Sequence, residues 1–322
     1  MNPFPTPMSH AIGIDFGGTT IKSGLVGDGQ ILKRGHLIDT QHHQGPESLL
    51  NEIVAVIQEL RAAEPGVSAI GVGVPGLVDS VNGIVHELTN VPGWQDINLR
   101  NLLHERTGLY VTIENDANAM AYGEWTYGAA KGGVHVVCIT LGTGVGGALI
   151  LDGRLYRGAQ LGAGEIGHMS IDYRGKPGAH NNPGDLEEYV GNRQIAARAV
   201  KRYAAAGQQK DAQHCTPRDL AEAAMAGDSV ASQLWEDMGE ELGAALASVV
   251  WILNPDTIVI GGGVANAGDL IFEPVRRTIR NRTQKVIYEH LRVVPATLGN
   301  DAGIIGNAVL ALQTGKEEQA VR

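Results

Sequence analysis

Positive charge is scarce in this chain. Its 25 lysines and arginines face 35 aspartates and glutamates, for a net charge of −10. That balance excludes a sequence-independent hold on nucleic acid or on an anionic membrane. It does not exclude an anionic nucleotide, because backbone amides and one or two cations can receive phosphates. Cysteine is scarcer still: Cys138 lies in an apolar run and Cys215 in a polar one. Two such thiols make no disulfide framework, and a reducing cytoplasm is the expected setting. Long apolar runs are missing too. The longest, 242–253, has 12 residues and is too short to span a bilayer. The opening MNPFPTPMSHA has neither a basic start nor an apolar middle, so no signal peptide is expected.

What the chain has in excess is glycine, 44 in 322 residues or about 14%, roughly double the usual share. The glycines cluster between apolar runs, a pattern of tight turns and close backbone–ligand approach. With 43% apolar and 19% charged residues, the composition is that of a soluble globular protein of about two domains. Strand-like runs at 11–16, 20–26 and near 30–38 flank the turns GGT and GDG, predicting three linked antiparallel strands. An amphipathic helix follows over 46–60, then a buried strand at 69–74, a helix at 97–107 and a strand at 110–114. The same opening recurs at 135–153. Asp15-Phe16-Gly17-Gly18-Thr19 matches Thr140-Leu141-Gly142-Thr143-Gly144, and Asp-Gly turns follow Asp15 and Thr140 by 13 and 12 residues. This is an internal repeat of one supersecondary unit. Beyond 190 the chain reads as mostly helical, with a long buried helix ending at Leu253, a strand at 257–260 and a last helix from about Gly303. GKEEQAVR reads as a frayed tail.

Two stretches fit G-x-G-x-x-G, Gly71/Gly73/Gly76 and Gly142/Gly144/Gly147. A dinucleotide fold needs a helix straight after the glycines, and here strand and turn follow both. No Walker-type loop is present. Glycine-rich hairpin turns can still hold phosphate, because successive N–H groups form an anion-binding nest. The other conspicuous stretch is YVTIENDANAMAYG (110–123). An apolar run stops at Glu114-Asn115-Asp116 and helix formers follow. Asp116 or Asn115 can cap that helix, or Asp116 can stand at a cleft and take a proton.

Taken in order, IGIDFGGTTIK (12–22), GVGVPGLVD (71–79), IENDANA (113–119), LGTGVGG (141–147) and GEIGH (164–168) resemble the ROK sugar kinases of the actin/hexokinase ATPase superfamily, especially the bacterial ATP-dependent glucokinases. NVPGW (90–94), NPDTIVIGGGV (254–264) and GNDAGIIGNA (299–308) extend the likeness over nearly the whole chain. The resemblance implies an α/β protein with the two-domain actin/hexokinase-like ATPase fold, ribonuclease H-like domains around a central cleft. The expected small domain is 1–117 with a returning C-terminal helix at about 308–322, and the large domain is 118–307.

The same resemblance makes Asp116 the general base. Substrate contacts are implied for Gly76, Asn90, Asn115, Asp116, Glu165, His168 and Glu187. ATP and Mg²⁺ are implied at Asp15, Gly17, Gly18, Thr19, Lys22, Gly142, Thr143, Gly144, Gly262 and Gly263. Carboxylates, amides and imidazole suit a polyol, since between them they donate and accept. Many ROK proteins also hold structural zinc with a histidine and three cysteines. Here the cysteine positions are Gly178, His180 and Asp185, beside His168, and no structural zinc is expected because such sites are closed and four-coordinate. Expected partners are a sugar and a nucleotide, a homodimer is implied, and neither nucleic acid nor membrane is expected. The activity implied is ATP- and Mg²⁺-dependent phosphorylation of a hexose, foremost glucose to glucose 6-phosphate. The alternatives are a kinase for fructose, mannose, allose or an N-acetylated amino sugar, and a non-catalytic sugar-binding regulator.

Overall fold

The computed structural model describes residues 10–43, 45–88 and 91–321. The first glycine turn joins β1 (His10–Phe16) to β2 (Thr20–Gly27), followed by β3 (Gln30–Arg34), β4 (Ile38–Asp39) and α1 (Pro46–Ala63). Next come β5 (Val67–Val74), three short strands β6 (Val78–Asp79), β7 (Ile84–Glu87) and β8 (Gln95–Asn98), then α2 (Leu99–Thr107), β9 (Tyr110–Asn115) and α3 (Asp116–Thr126). The repeat begins with β10 (Val136–Leu141), β11 (Val145–Leu151) and β12 (Arg154–Tyr156). Helices α4 (Glu187–Val190), α5 (Asn192–Ala205), α6 (Pro217–Met225) and α7 (Ser229–Leu253) precede β13 (Thr257–Gly261). The chain closes with α8 (Asp269–Arg282), α9 (Lys285–Tyr288), β14 (Arg292–Pro295) and α10 (Ala302–Val321). Among the described residues no helix is long and apolar enough to cross a membrane.

Two units divide these elements. One takes the described residues up to Lys131, Arg157–Gly162 and those from Leu298 onward; the other takes Gly132–Tyr156 and Ala163–Thr297. The main sheet of the first unit runs β3-β2-β1-β5-β9, with β4 added beside β2. The sheet of the second runs β12-β11-β10-β13-β14. In each, an antiparallel hairpin is followed by parallel neighbours, so the repeat read in the sequence is a repeat of sheet topology. The Asp28-Gly29 and Asp152-Gly153 turns place both residues at positive φ, 48° and 72° in one and 52° and 66° in the other, as two-residue type I′ hairpins require.

Strand alternation decides how the first sheet is covered. Ile12, Ile14, Ile70 and Val72 share a core with α1 and α2. Their neighbours Ala11 and Ala69 pack with Ile304, Ala308 and Ala311 of α10. Gly13 and Gly71 lie on that second face, where a Cβ would stand 1.8 Å from the Ile304 carbonyl oxygen and 1.9 Å from that of Asn307. Those glycines therefore let a helix lie directly on the sheet, and Gly71 and Gly73 of the first G-x-G-x-x-G are packing positions against α10. In the second unit, Val137, Ile139, Ile258 and Ile260 join α5, α6, α7 and α8 in one core.

The structure departs locally from three sequence expectations. The helix expected from 97 starts at Leu99, behind the strand β8. The three-stranded sheet β6-β7-β8 has strands of two to four residues, too short for a periodic signal. The C-terminal segment continues as helix to Val321, and Tyr110 donates its hydroxyl to Glu318 at 2.9 Å, which anchors what reads as a frayed end.

Candidate functional site

In the first unit the candidate residues gather at one sheet edge. β1, β5 and β9 are parallel neighbours, with Asp15 in register with Gly73, Gly73 with Glu114 and Val74 with Asn115. Their carboxyl ends therefore lie side by side, the usual place for ligands in α/β sheets. Asp15 is the penultimate residue of β1, just before the exposed turn of Gly17, Gly18 and Thr19, which Gly17 closes by donating to the Thr20 carbonyl at 2.9 Å. The first turn of α10 lies against Asp15, and a Cβ at Gly303 would stand 2.8 Å from its carboxyl carbon. This burial pushes the Asp15 pKa upward; Lys22, its cross-strand partner, opposes the shift and does not cancel it.

The helix-capping question resolves at the next strand. Asn115 is the N-cap of α3, its side-chain oxygen accepting from Asn118 N–H at 3.1 Å. Its amide nitrogen donates to the Gly76 carbonyl at 3.1 Å, so Gly76, at φ 83°, is tied to the same corner. Asp116 is the first helical residue, and one of its oxygens accepts from Ala117 N–H at 2.9 Å. Capping thus falls to Asn115, while the partly exposed Asp116 carboxylate stands at the strand-to-helix corner. Beside this edge a cavity of about 350 Å³ is lined by Phe16, Gly17, Thr40, Gly76, His86 and Glu87, among others. Asn90 lies outside the described residues.

Two supporting carboxylates escaped the sequence reading. Glu114, 2% exposed, accepts from Asn115 N–H at 3.0 Å and the Asn118 amide at 2.9 Å. Its other oxygen accepts from two guanidinium nitrogens of Arg157, both at 2.7 Å. Glu124 is fully buried and accepts from Ala129 N–H at 2.8 Å and Leu298 N–H at 2.7 Å. Arg157 and Leu298 each begin a segment returning to the first unit. The element that carries Asp116 therefore also anchors the returning chain. A glutamate inside an otherwise apolar strand was the available signal for Glu114; its partner 43 positions away was not readable.

In the second unit the glycine turn of Gly142, Thr143 and Gly144 joins β10 to β11. Gly142 N–H donates to the Gly144 carbonyl at 2.9 Å, and Asn192 N–H donates to the Gly142 carbonyl at 3.0 Å. Glu187, opening α4, accepts from Val145 N–H at 2.8 Å, and a Cβ on Gly144 would stand 2.5 Å from its carboxylate oxygen. The segment holding Glu165 and His168 rides on β11, where Gly167 lies so close that a Cβ would meet the Val145 carbonyl oxygen at 2.2 Å. Glu165, His168, Glu187 and the turn are thus one neighbourhood. At the end of β13, parallel to β10, Gly262 has φ 86° and its Cβ position lies 2.2 Å from the Leu141 carbonyl oxygen. Gly263 then lines a cavity of about 360 Å³ with Pro217, Arg218, Glu222, Met225 and Asn266, among others.

The zinc positions fail a test of fit. Gly178 supplies no donor, and a side chain there would meet the Asp185 carboxyl carbon at 2.5 Å. Asp185 already accepts from Ala179 N–H at 3.0 Å and the Asn182 amide at 2.6 Å. His168 Nδ1 lies 3.3 Å from the same carboxylate. Two imidazoles and a committed carboxylate do not make a closed four-coordinate site, and among the described residues no group of three or more candidate ligands is gathered for a metal.

Residues 11–314 match the ROK family. A glucokinase of Thermotoga maritima is 34% identical over 314 residues, covering 94% of this chain and 97% of the relative. A ROK family glucokinase from Streptomyces griseus, solved with glucose and AMPPNP, superposes with a TM-score of 0.78 at 32% identity, covering 94% of this chain and 99% of that one. A putative xylose repressor of Caldicellulosiruptor is 32% identical over 83% of this chain and 69% of its own length. The chain belongs to the ROK family, with the α/β, actin/hexokinase-like ATPase fold.

Proposed function

We propose that this ROK-family chain is an ATP-dependent hexose kinase that converts glucose to glucose 6-phosphate. The observation that carries the reading is the β9–α3 corner. Asn115 takes the capping role, and the Asp116 carboxylate stands at the same sheet edge as Asp15 and the turn 17–19. In the proposed reaction the sugar 6-hydroxyl gives its proton to a carboxylate oxygen of Asp116. The hydroxyl oxygen forms a bond to the γ-phosphorus, and the bond from that phosphorus to the ADP oxygen breaks. Base assistance of this kind is worth about 10²–10⁴-fold; positioning and charge neutralisation supply most of the rest.

Asn115, Glu165, His168 and Glu187 are the further sugar contacts in this reading, together with Gly76 and Asn90. Gly142, Thr143 and Gly144 hold nucleotide phosphates through turn amides, and Gly262 and Gly263 flank the adenosine. Lys22 and the turn 17–19 face the transferring group. Mg²⁺ fits beside Asp15, because burial has raised the cost of that carboxylate's charge and a dication offsets it; when bound, the ion neutralises charge on the transferring phosphoryl group.

The relative described as a xylose repressor supports a second reading, a non-catalytic sugar-binding regulator. The test is ADP release from ATP over a panel of hexoses, with Asp116→Ala run in parallel. Glucose-dependent release that is lost in the variant is the expected result. Release with another hexose corrects the substrate, and sugar binding without turnover on any hexose overturns the kinase.

A further inference from the structure

The loop from His168 to Glu187 is closed by its own hydrogen bonds. Ile171 N–H donates to the Gly184 carbonyl at 2.9 Å and Leu186 N–H to the Met169 carbonyl at 3.0 Å. The Ser170 hydroxyl donates to the Pro183 carbonyl at 2.6 Å. These bonds place Asp185 at the centre of the loop, 1% exposed. One of its oxygens accepts from Ala179 N–H at 3.0 Å and lies 3.3 Å from His168 Nδ1; the other accepts from the Asn182 amide at 2.6 Å. That same amide donates to the His168 carbonyl at 2.6 Å. The His180 ring stands edge-on to the His168 ring, centroids 5.6 Å apart. A buried carboxylate needs such partners, and here they come from three separate points of the loop.

We infer that Asp185 is a positioning residue that replaces a metal as the hub of this loop and fixes the tautomer of His168. A carboxylate only accepts, so Nδ1 carries the proton it shares with Asp185. In the neutral ring Nε2 is then the acceptor. His168 thereby presents a lone pair, and a hydroxyl that meets it must donate. The loop needs no metal, because the Gly178 position has no room for a ligand beside the Asp185 carboxyl group. The step from a fixed tautomer to substrate rests on the proposal that His168 contacts a sugar hydroxyl; the hub and the tautomer do not.

The test uses the intact protein purified without added metal. Elemental analysis is expected to find far less than one zinc per chain, and a strong chelator is expected to leave the melting temperature unchanged. Near-stoichiometric zinc together with chelator-induced destabilisation overturns the hub. Nitrogen-15 NMR of the His168 ring, assigned by its loss in His168→Gln, is expected to show protonated Nδ1 and bare Nε2 in the unmodified protein. Asp185→Ala removes the acceptor that faces both His168 Nδ1 and Ala179 N–H, so the preference for protonated Nδ1 should be lost and protonated Nε2 should become populated. The sugar KM should then rise about three- to tenfold, the loss of one hydrogen bond, with kcat little changed. Protonated Nε2 in the unmodified protein, or an unchanged tautomer in folded Asp185→Ala, overturns the positioning role. Metal content and tautomer are read without turnover, so they decide this inference even if the kinase reading fails.

Discussion

The two units lay down the same sheet and equip it differently. β3-β2-β1-β5-β9 and β12-β11-β10-β13-β14 share strand order and direction, and both hairpins turn on Asp-Gly. Where the first has Asp15 as the penultimate residue of its leading strand, before the loop 17–19, the second has Thr140 before the loop 142–144. The first unit's carboxylate corner follows β9, whose last residue Asn115 leads directly into Asp116; the second unit's glycine corner follows β13, in the place that β5 holds in the first sheet, where Gly261 passes to Gly262 and Gly263. A duplicated scaffold supplies two equivalent edges. One edge carries the carboxylates of Asp15 and Asp116, the other a run of bare glycine backbone; in the proposed reading the first serves chemistry on a hydroxyl and the second holds phosphates and a nucleoside.

Making the first edge resemble the second is expected to have the largest effect. Asp15→Asn should cut turnover about 10²–10³-fold, the scale of removing one preorganised electrostatic group. The same variant should melt higher than the parent at neutral pH. Asp15 has a raised folded-state pKa, so its favourable contribution is fully present below the unfolded value and is lost as pH rises through the folded one. The variant's advantage should therefore shrink as pH falls toward 4. A lower melting temperature at pH 7 would contradict this account of Asp15.

Next in size is Arg157→Ala, which leaves Glu114 buried without its cation. Asn118 and Asn115 N–H still hold that carboxylate, so the cost should fall at the lower end of the known range, about 3 kcal/mol in urea unfolding. Adding Glu114→Gln should recover part of it. Gly262→Ala comes third, at about 1–3 kcal/mol for the forced backbone, with a raised KM for ATP. Gly263→Ala is its control: a Cβ there meets nothing within 4 Å, and stability should stay within about 0.5 kcal/mol of the parent. The smallest effect is Thr140→Asp, which gives the second edge the first edge's carboxylate. One like charge near the phosphates should raise the ATP KM about fivefold and leave sugar binding unchanged in calorimetry.

The scaffold was legible because its signals are local. A glycine turn and an Asp-Gly hairpin each fall within about 15 residues, and finding both twice identified the repeat. Partnerships at long range were not legible. Nothing near Glu114 points to Arg157, and nothing near Glu124 points to Leu298, because each pair meets only when the chain returns. Gly71 and Gly73 looked like half of a phosphate motif, yet they face Asn307 of α10, and only the fold brings that helix there. The corner at Asn115-Asp116 lay between: its residue types allowed either to cap the helix, and the hydrogen bonds show that Asn115 does.

Division of labour at that corner is the central claim, and calorimetric titration of glucose into Asp116→Asn tests it most directly, with ADP release measured on the same preparation. If Asp116 is the base, glucose should bind within about tenfold of the parent, since a neutral hydrogen bond replaces a charge-assisted one, while ADP release falls about 10²–10⁴-fold. Turnover retained within tenfold of the parent, or lost only in proportion to glucose affinity, would contradict it.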